Sequence, residues 1–229
     1  MSKEAFGALR QQMVAEIAAQ TIYVSARIGK AALSGRVLNA VGSVPRHEFV
    51  PIGLQSYAYA NTPLPIGFDK TISQPFIVAL MTDLLDLSET DVVLEIGTGL
   101  GYQAAVLAEL AGAVYSVELI EELSDQAKEK LDRLGYSNIE LKVGNGNYGW
   151  PEHAPYDKIM VTAAPDLIPP ELLNQLKPGG RMVIPAGLSE SQQLVVVFKD
   201  LQGKLTLSDM LPVRFSTLQG GASGDARGS

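Results

Sequence analysis

Apolar side chains near the start of the chain recur at steps of three and four residues: Phe6, Leu9, Met13 and Ile17. Such spacing predicts an amphipathic helix. Ser34 is suited to cap a short second helix, and a strongly apolar third helix is predicted from Phe76 to Leu85. Between these helices, residues 45–68 are rich in proline and aromatic side chains, and we expect loops there.

The pattern changes at residue 88, where short apolar runs begin to alternate with helical segments. Strands are predicted at 92–96, 113–117, 139–143, 158–162 and 181–184. Helices are predicted between them, at 102–110, 120–134 and 169–176. Two further strands, 193–199 and 205–213, follow without an intervening helix and should pair antiparallel. The predicted fold class is α/β, a doubly wound, mostly parallel Rossmann-like sheet with antiparallel C-terminal strands and an N-terminal helical extension.

These patterns divide one domain into three segments. Residues 1–87 form the helical extension packed on the core, and residues 88–218 form the α/β core with its closing strands. Residues 219–229 are small and polar, and we expect this tail to be disordered.

Composition narrows the possible chemistry. The 229 residues include no cysteine and two histidines, so a disulfide framework and a cysteine nucleophile are excluded and no metal site is expected. Lys and Arg number 18 against 25 Asp and Glu, a net charge of −7, which disfavours a nucleic-acid partner held by bulk charge. No apolar run is long enough to cross a membrane, and the N-terminus lacks a signal-peptide pattern. We therefore expect a cytoplasmic protein without a membrane partner.

The strongest local motif joins the first core strand to its helix: Glu-Ile-Gly-Thr-Gly-Leu-Gly, residues 95–101. Alternate glycines permit a tight turn and a close approach of the backbone to a ligand. In open α/β sheets, ligands bind at the carboxyl ends of the strands. Glu118 ends the second core strand about twenty residues after Gly97, where a carboxylate can accept both ribose hydroxyls. These features predict an adenosine-like ligand.

Spacing and charge favour one such ligand. The glycines follow G-x-G-x-G, whereas the dinucleotide pattern is G-x-G-x-x-G. The negative charge of Glu95 would disfavour a pyrophosphate but would suit an ammonium or sulfonium group. S-adenosylmethionine is thus favoured over a nicotinamide cofactor, although the glycines could simply turn a strand into a helix. Residues 161–165, Val-Thr-Ala-Ala-Pro, lack the Asp/Asn-Pro-Pro-aromatic motif of many amino-group methyltransferases, so the residues alone leave the methyl acceptor open.

Several segments together resemble the protein-L-isoaspartate O-methyltransferase family. They fall in the family's order within residues 5–218: 44–51, 71–75, 93–104, 154–164, 176–181 and 212–215. The glycine motif and the Lys-Pro-Gly-Gly turn are shared by many methyltransferases. Val-Pro-Arg-His-Glu-Phe-Val-Pro at 44–51 and Thr-Ile-Ser-Gln-Pro at 71–75 are much more specific.

The resemblance implies a function. Members transfer a methyl group from S-adenosylmethionine to the free α-carboxylate of L-isoaspartyl residues in damaged proteins and peptides, which initiates repair and leaves S-adenosylhomocysteine. A carboxylate with a pKa of about 4 is already ionised at neutral pH, so no general base is needed. The expected partners are isoaspartyl proteins and peptides, acted on by a monomer.

The resemblance also implies the substrate side of the site. The hydroxyl of Ser73 would orient the attacking carboxylate, although Ser73 could instead only cap the following helix. Thr71 and Ile72 would line the same pocket. Val213 and Phe215 would face it from the last strand, or serve only in the core.

Ten residues match the family's cofactor side: Glu95, Gly97, Thr98, Gly99, Gly101, Glu118, Leu119, Asn145, Gly146 and Thr162. The glycine motif corresponds to the methionine part of the cofactor, Glu118 to the ribose, and residues 145–146 to the adenine edge. Thr162 would lie near the sulfonium.

Three departures and three alternatives accompany this interpretation. Leu100 replaces a residue that is usually small and polar in the family. Asn145 stands where the family usually has Asp, which predicts a lower cofactor affinity. Lys70 stands where bacterial members often have Gln; it would attract the substrate carboxylate or face solvent, and solvent is favoured. The alternatives are a class I methyltransferase with another acceptor, a cofactor-binding protein without turnover, and a nicotinamide dehydrogenase, which the glycine spacing disfavours.

Overall fold

The first two helices follow the predicted pattern. The structure, a computed structural model, describes residues 3–220. The helix α1 spans Lys3–Ile28; of the four predicted apolar positions, Phe6, Met13 and Ile17 are buried and Leu9 is half-buried. The helix α2 spans Gly35–Ser43, and the side chain of Ser34 accepts a hydrogen bond from the Arg36 amide, as a capping residue should.

The segment predicted to be loop contains regular structure. Short 3₁₀ helices cover Arg46–Phe49 and Ile52–Tyr57, and two strands, β1 (Leu64–Gly67) and β2 (Lys70–Ile72), pair antiparallel. Their two-residue turn, 68–69, has positive φ at both residues, which suits the twist of a tight hairpin. The prediction of irregular structure was wrong here because strands of four and three residues are too short to show a period, and Pro65 lies inside β1.

The third helix is capped by a residue distant in sequence. Helix α3 spans Pro75–Leu85, with proline in its first turn. The amide of Phe76 donates to Oδ1 of Asn61 at 3.0 Å. The Ser73 hydroxyl forms no hydrogen bond within residues 3–220, so the alternative that Ser73 caps this helix was wrong.

The core is a seven-stranded sheet, which confirms the predicted fold class. Its strands are β3 (Val92–Ile96), β4 (Ala113–Glu118), β5 (Ile139–Val143), β6 (Tyr156–Val161), β7 (Leu176–Ala186), β8 (Gln192–Lys199) and β9 (Leu205–Val213). Three helices lie between them: α4 (Tyr102–Ala108), α5 (Glu121–Leu134) and α6 (Pro170–Gln175). The strand order is β5-β4-β3-β6-β7-β8-β9, parallel from β5 to β7, while β8 and β9 pair antiparallel.

The connection between β5 and β6 sets the position of the site. After β5 the chain crosses to the other side of β3 and places β6 beside it. The chain leaves β3 toward β4 on one side and leaves β6 toward β7 on the other side. Because these two connections diverge, a crevice opens at the carboxyl ends of β3 and β6.

The N-terminal segment shares the core of the sheet. Residues of α1, α2 and α3 pack with Val93, Met160 and Val183 in one hydrophobic cluster, whereas Leu94 and Ile96 face a second cluster containing α6. The predicted tail begins at Gln219, and its residues 221–229 lie outside the described residues. None of the helices in the described range, 3–220, is long and apolar enough to cross a membrane.

Replacing Asn61 with alanine should destabilise the protein. Its side chain caps Phe76 and also donates to Oε1 of Gln20 at 2.7 Å, so Asn61→Ala should lower the free energy of unfolding by about 1–2 kcal/mol. Ser73→Ala should change it by less than about 0.5 kcal/mol, because no hydrogen bond is lost. Urea denaturation of both variants is the measurement. Equal losses in the two variants would contradict the capping assignment.

Candidate active site

A cavity of about 610 Å³ opens at the carboxyl ends of the parallel strands. One wall comes from α1 and residues 70–77, the floor from the ends of β3, β4 and β6, and the remaining wall from residues 211–219. Gln219 is the last residue on this wall. A cavity of this size suits a small molecule or cofactor with room for part of a second ligand.

The cavity collects most of the predicted site residues. Those that line it are Thr71, Ser73, Gly97, Gly99, Glu118, Leu119, Gly146, Thr162, Val213 and Phe215. Those that do not are Ile72, Glu95, Thr98, Gly101 and Asn145. Ile72 and Thr98 border a smaller neighbouring cavity of about 50 Å³, which Ser73, Gly97 and Thr162 also line.

The loop after β3 is built to let a ligand approach the backbone. Gly97 has a φ of +96°, and a Cβ there would collide with Oγ1 of Thr162. That hydroxyl donates to the carbonyls of Ile96 and Gly97 at 3.0 and 2.7 Å. The end of β6 is thereby tied to the glycine loop, and Gly97 does not tolerate a side chain.

Glu118 fixes the other side of this loop. Its Oε2 accepts from the amide of Gly99 at 2.8 Å, and its Oε1 accepts from the amide of Ile120 at 3.0 Å. A carboxylate oxygen can accept two hydrogen bonds, so each retains capacity for a ligand hydroxyl. The geometry therefore suits a vicinal diol such as that of a ribose.

Glu95 has a different position from the predicted one. It is fully buried behind the loop, and Ser116, bonded in turn to Thr98, donates its hydroxyl to Oε2. No hydrogen bond reaches Oε1 within residues 3–220. Burial raises the pKa of Glu95 to about 8, against the opposing effect of the Ser116 bond. At neutral pH this side chain is therefore mostly uncharged. The predicted contact between Glu95 and the charged methionine end of a ligand was wrong, because Glu95 is buried behind the loop and supports it from there.

Asn145 is also displaced from its predicted role. Its Oδ1 accepts from the amide and the side chain of Asn147, at 3.0 and 2.9 Å, and caps the 3₁₀ helix Gly146–Tyr148. The adenine contact expected of its carbonyl oxygen is therefore not available in this arrangement. Gly146 does line the cavity, and a Cβ there would collide with Ile96, so glycine is required.

Gly101 packs behind the glycine loop, against Leu131 and Ala127 of α5. It begins α4 with a φ of +95°. Together with buried Thr98 and Glu95, it shapes the loop from below rather than facing the cavity.

Ser73 lies on the opposite wall from the glycine loop. It follows β2 and precedes α3, is half-buried and lines the cavity. Its carbonyl accepts from Nη2 of Arg46 at 2.7 Å, while its hydroxyl is left without a partner among residues 3–220. That hydroxyl is free to donate to a ligand.

Lys70, favoured from sequence as solvent-facing, lines the cavity and is half-buried. The sequence interpretation also missed Gln20 and Gln74, which line the cavity and are joined through Asn61. Gln20 could have been found from the sequence. It lies between Ile17 and Val24 at helical spacing, so it is a polar residue at a position where an apolar one would continue the apolar face of α1.

The fold and this cavity define a class I S-adenosylmethionine-dependent methyltransferase. The model of the protein-L-isoaspartate(D-aspartate) O-methyltransferase family matches residues 19–223, and the chain belongs to this family. Its resemblance to the family is thereby confirmed.

Individual relatives carry the same family name. A protein-L-isoaspartate O-methyltransferase 1 of Polaromonas sp. (strain JS666) is 64% identical over 219 residues, covering 96% of this chain and 93% of the relative. A protein-L-isoaspartate O-methyltransferase 2 of Syntrophobacter fumaroxidans is 55% identical, with 94% and 88% covered.

Solved structures give the same fold. A protein-L-isoaspartate O-methyltransferase superposes with a TM-score of 0.78 at 32% identity, over 92% of this chain and 66% of that longer one. A Plasmodium falciparum protein in complex with S-adenosyl-L-homocysteine has a TM-score of 0.76 at 20% identity, over 92% and 98%. At that identity the second likeness supports the fold alone.

Glu95→Gln should change how stability depends on pH. The carboxyl ionises near its ordinary value of 4.5 in the unfolded chain but near 8 in the folded protein. As the pH rises between these values, the unfolded state loses the proton first, so the wild-type protein loses stability that the uncharged glutamine variant keeps. The variant should gain about 1–3 kcal/mol relative to wild type between pH 5 and pH 8.5.

Denaturation at several pH values measures this difference. Glu190→Gln, at an exposed position, is the matched control and should show no comparable trend. A pH-independent difference between Glu95→Gln and wild type would contradict a buried, neutral Glu95.

Proposed function

We propose that this protein transfers a methyl group from S-adenosylmethionine to the free α-carboxylate of L-isoaspartyl residues in damaged proteins and peptides. The observation that carries the proposal is the 610 Å³ cavity that is lined both by the Glu118-clamped glycine loop and by Ser73, whose hydroxyl has no partner within residues 3–220. Family membership specifies the acceptor. Methylation of the isoaspartyl carboxylate initiates its repair.

The residues on the strand side fit the cofactor. The Glu118 oxygens would accept hydrogen bonds from the ribose hydroxyls, and Gly146 and Leu119, which also line the cavity, would provide the wall for the adenine. Gly97 and Thr162 leave room beside the loop for the methionine part of the cofactor. When bound, S-adenosylmethionine supplies an electrophilic methyl group on a positively charged sulfur.

The opposite wall receives the substrate. Ser73 donates its hydroxyl to the isoaspartyl carboxylate and orients it, with Thr71 beside it. The carboxylate is ionised at neutral pH, so the site needs no base. This agrees with the positions of the two histidines: His47 bonds to the Tyr59 hydroxyl and His153 stacks on Tyr115, and neither lines the cavity.

The cavity walls favour a reaction between opposite charges. Ile66, Val213 and Phe215 are apolar and exclude water from the space between the two ligand positions. An anion and a cation react there to give neutral products, so a medium of low dielectric constant lowers the barrier relative to water.

The wider setting extends this proposal. Residues 1–87 supply Ser73 and most of the substrate side. Residues 88–218 supply the cofactor side, including Glu118, and add Val213 and Phe215 to the substrate side. The protein acts as a monomer in the cytoplasm, on isoaspartyl proteins and peptides and without nucleic-acid or membrane partners. Its net charge of −7 supports the lack of a polyanionic partner.

Two peptides that differ at one residue test the function. With labelled S-adenosylmethionine, a peptide containing L-isoaspartate should acquire a base-labile methyl ester, and its L-aspartate counterpart should not. Equal labelling of both, or label on neither in a protein that binds S-adenosylhomocysteine, would contradict the proposal.

Ser73→Ala should impair transfer without affecting the cofactor. We expect kcat/KM for the isoaspartyl peptide to fall by about 10- to 100-fold, because one orienting hydrogen bond is lost. The Kd of S-adenosylhomocysteine, measured by calorimetry, should stay within about twofold. Ser43→Ala is the control, since the Ser43 hydroxyl donates to the carbonyl of Ala40 at the end of α2 and Ser43 does not line the cavity. Unchanged turnover in Ser73→Ala would remove Ser73 from the mechanism.

Lys70→Met should weaken substrate capture. The ammonium group attracts the peptide carboxylate to the cavity, so the variant should raise KM by about two- to fivefold at low salt and leave kcat unchanged. The difference should shrink at high salt, where the attraction is screened. Steady-state kinetics at two ionic strengths measures it, and a KM change equal at both would show that charge is not responsible.

A further inference from the structure

The one fully buried guanidinium of the described residues lies behind the substrate wall. Arg46, in the 3₁₀ helix that follows α2, has no exposed surface. Its Nε donates to the carbonyl of Ala58 at 2.8 Å, and its Nη2 donates to the carbonyl of Ser73 at 2.7 Å. Nη1 is buried without a hydrogen-bond partner in residues 3–220, and no carboxylate within that range forms an ion pair with Arg46.

Such an arrangement is a poor source of stability. Moving a cation out of water carries a large desolvation cost that only a counter-charge or complete hydrogen bonding offsets, and Arg46 has neither. The ring of Tyr102 lies 4.8 Å from the guanidinium carbon and offsets part of this cost. Burial lowers the pKa of Arg46 to about 10, which still leaves it charged at neutral pH. An apolar side chain of similar length would fill the same space without a buried charge, but it would leave the carbonyls of Ala58 and Ser73 without this donor.

The contact with Ser73 gives the guanidinium a geometric use. Ser73 follows the last residue of β2, precedes the proline-led start of α3, and has no bond from its own hydroxyl in the described chain. Its side-chain direction therefore depends on how its backbone is held. Arg46 fixes the carbonyl of Ser73, and the next side chain, Gln74, is tied to the carbonyl of Asn61 at 3.0 Å.

We propose that Arg46 is a positioning residue for methyl transfer, which holds the backbone of Ser73 so that its hydroxyl faces the isoaspartyl carboxylate. The inference rests on the proposed function, because it acts through Ser73. The second bond, to Ala58, sets the fork of the guanidinium in one orientation. Lysine does not reproduce this geometry, since an ammonium donates from a single nitrogen, whereas the guanidinium reaches the carbonyls of Ala58 and Ser73 from two separate nitrogens of one rigid plane.

A double-mutant cycle tests the inference. The proteins are wild type, Arg46→Met, Ser73→Ala and the double variant, each assayed for kcat and KM with the isoaspartyl peptide. Arg46→Met should lower kcat/KM by about tenfold, mainly through kcat, with the Kd of S-adenosylhomocysteine within about twofold of wild type. In the Ser73→Ala background the same change should cost no more than about a further twofold, because the hydroxyl that Arg46 positions is already absent.

A matched control separates positioning from stability. The Nζ of Lys199 also donates to two backbone carbonyls, those of Leu173 and Leu176, at 2.9 Å each, and Lys199 does not line the cavity. Lys199→Met should lower the thermal midpoint while leaving kcat/KM unchanged. If Arg46→Met does not fold, Arg46→Lys is the second substitution at this position. We expect Arg46→Lys to keep only part of the wild-type kcat.

The outcomes separate the inference from the function on which it rests. Independent effects in the cycle, or wild-type kcat in Arg46→Met, would overturn the role of Arg46 alone. A Ser73→Ala protein with wild-type kinetics would overturn both that role and the role of Ser73. A wild-type protein that methylates neither isoaspartyl nor aspartyl peptide would contradict the proposed function and the inference together.

Discussion

The carboxylate of Glu118 holds together the glycine loop and the start of α5 at one side of the cavity. One oxygen accepts from Gly99 in the glycine loop and the other from Ile120 at the start of α5, so a single side chain joins the ends of β3 and β4. Hydrogen bonds to an ionised acceptor are stronger than neutral ones, and they leave this loop little freedom. Because Glu118 also lines the cavity, the proposed function gives the residue that orders the loop a second role as an acceptor for a ligand.

The substrate wall is ordered by different means. It consists of the short hairpin β1–β2, the residue Ser73 and the first turn of α3, none of which belongs to the large sheet. Asn61 caps α3, and Arg46 holds the carbonyl of Ser73. These polar contacts bring together residues far apart in sequence, and they place a hydroxyl without a partner in the described chain opposite the glycine loop. Under the proposed function, catalysis depends on orientation and on exclusion of water more than on acid–base chemistry.

Local patterns in the sequence predicted some elements of the structure, whereas contacts that form only in the folded protein could not be predicted. The strand–loop–helix at 92–108 and the closing hairpin were predictable because burial and glycine spacing are local properties of the sequence. The hairpin at 64–72 was not, since its strands are too short for a period. Glu95 was assigned a ligand contact because sequence does not show on which side of the loop a strand residue is buried. Asn145 was assigned a contact with the adenine because the hydrogen bond that its side chain accepts from Asn147 forms only in the folded turn. The contact between Arg46 and Ser73 spans a loop and a hairpin and has no local signature.

The most direct measurement is a crystal structure with S-adenosylhomocysteine and an isoaspartyl peptide bound together. The account predicts both ligands in the 610 Å³ cavity, with the ribose hydroxyls on the oxygens of Glu118. It also predicts the α-carboxylate of the isoaspartyl residue within about 3 Å of Oγ of Ser73 and directed at the cofactor sulfur. A peptide whose carboxylate lies away from Ser73, or a cofactor bound without contact to Glu118, would contradict it.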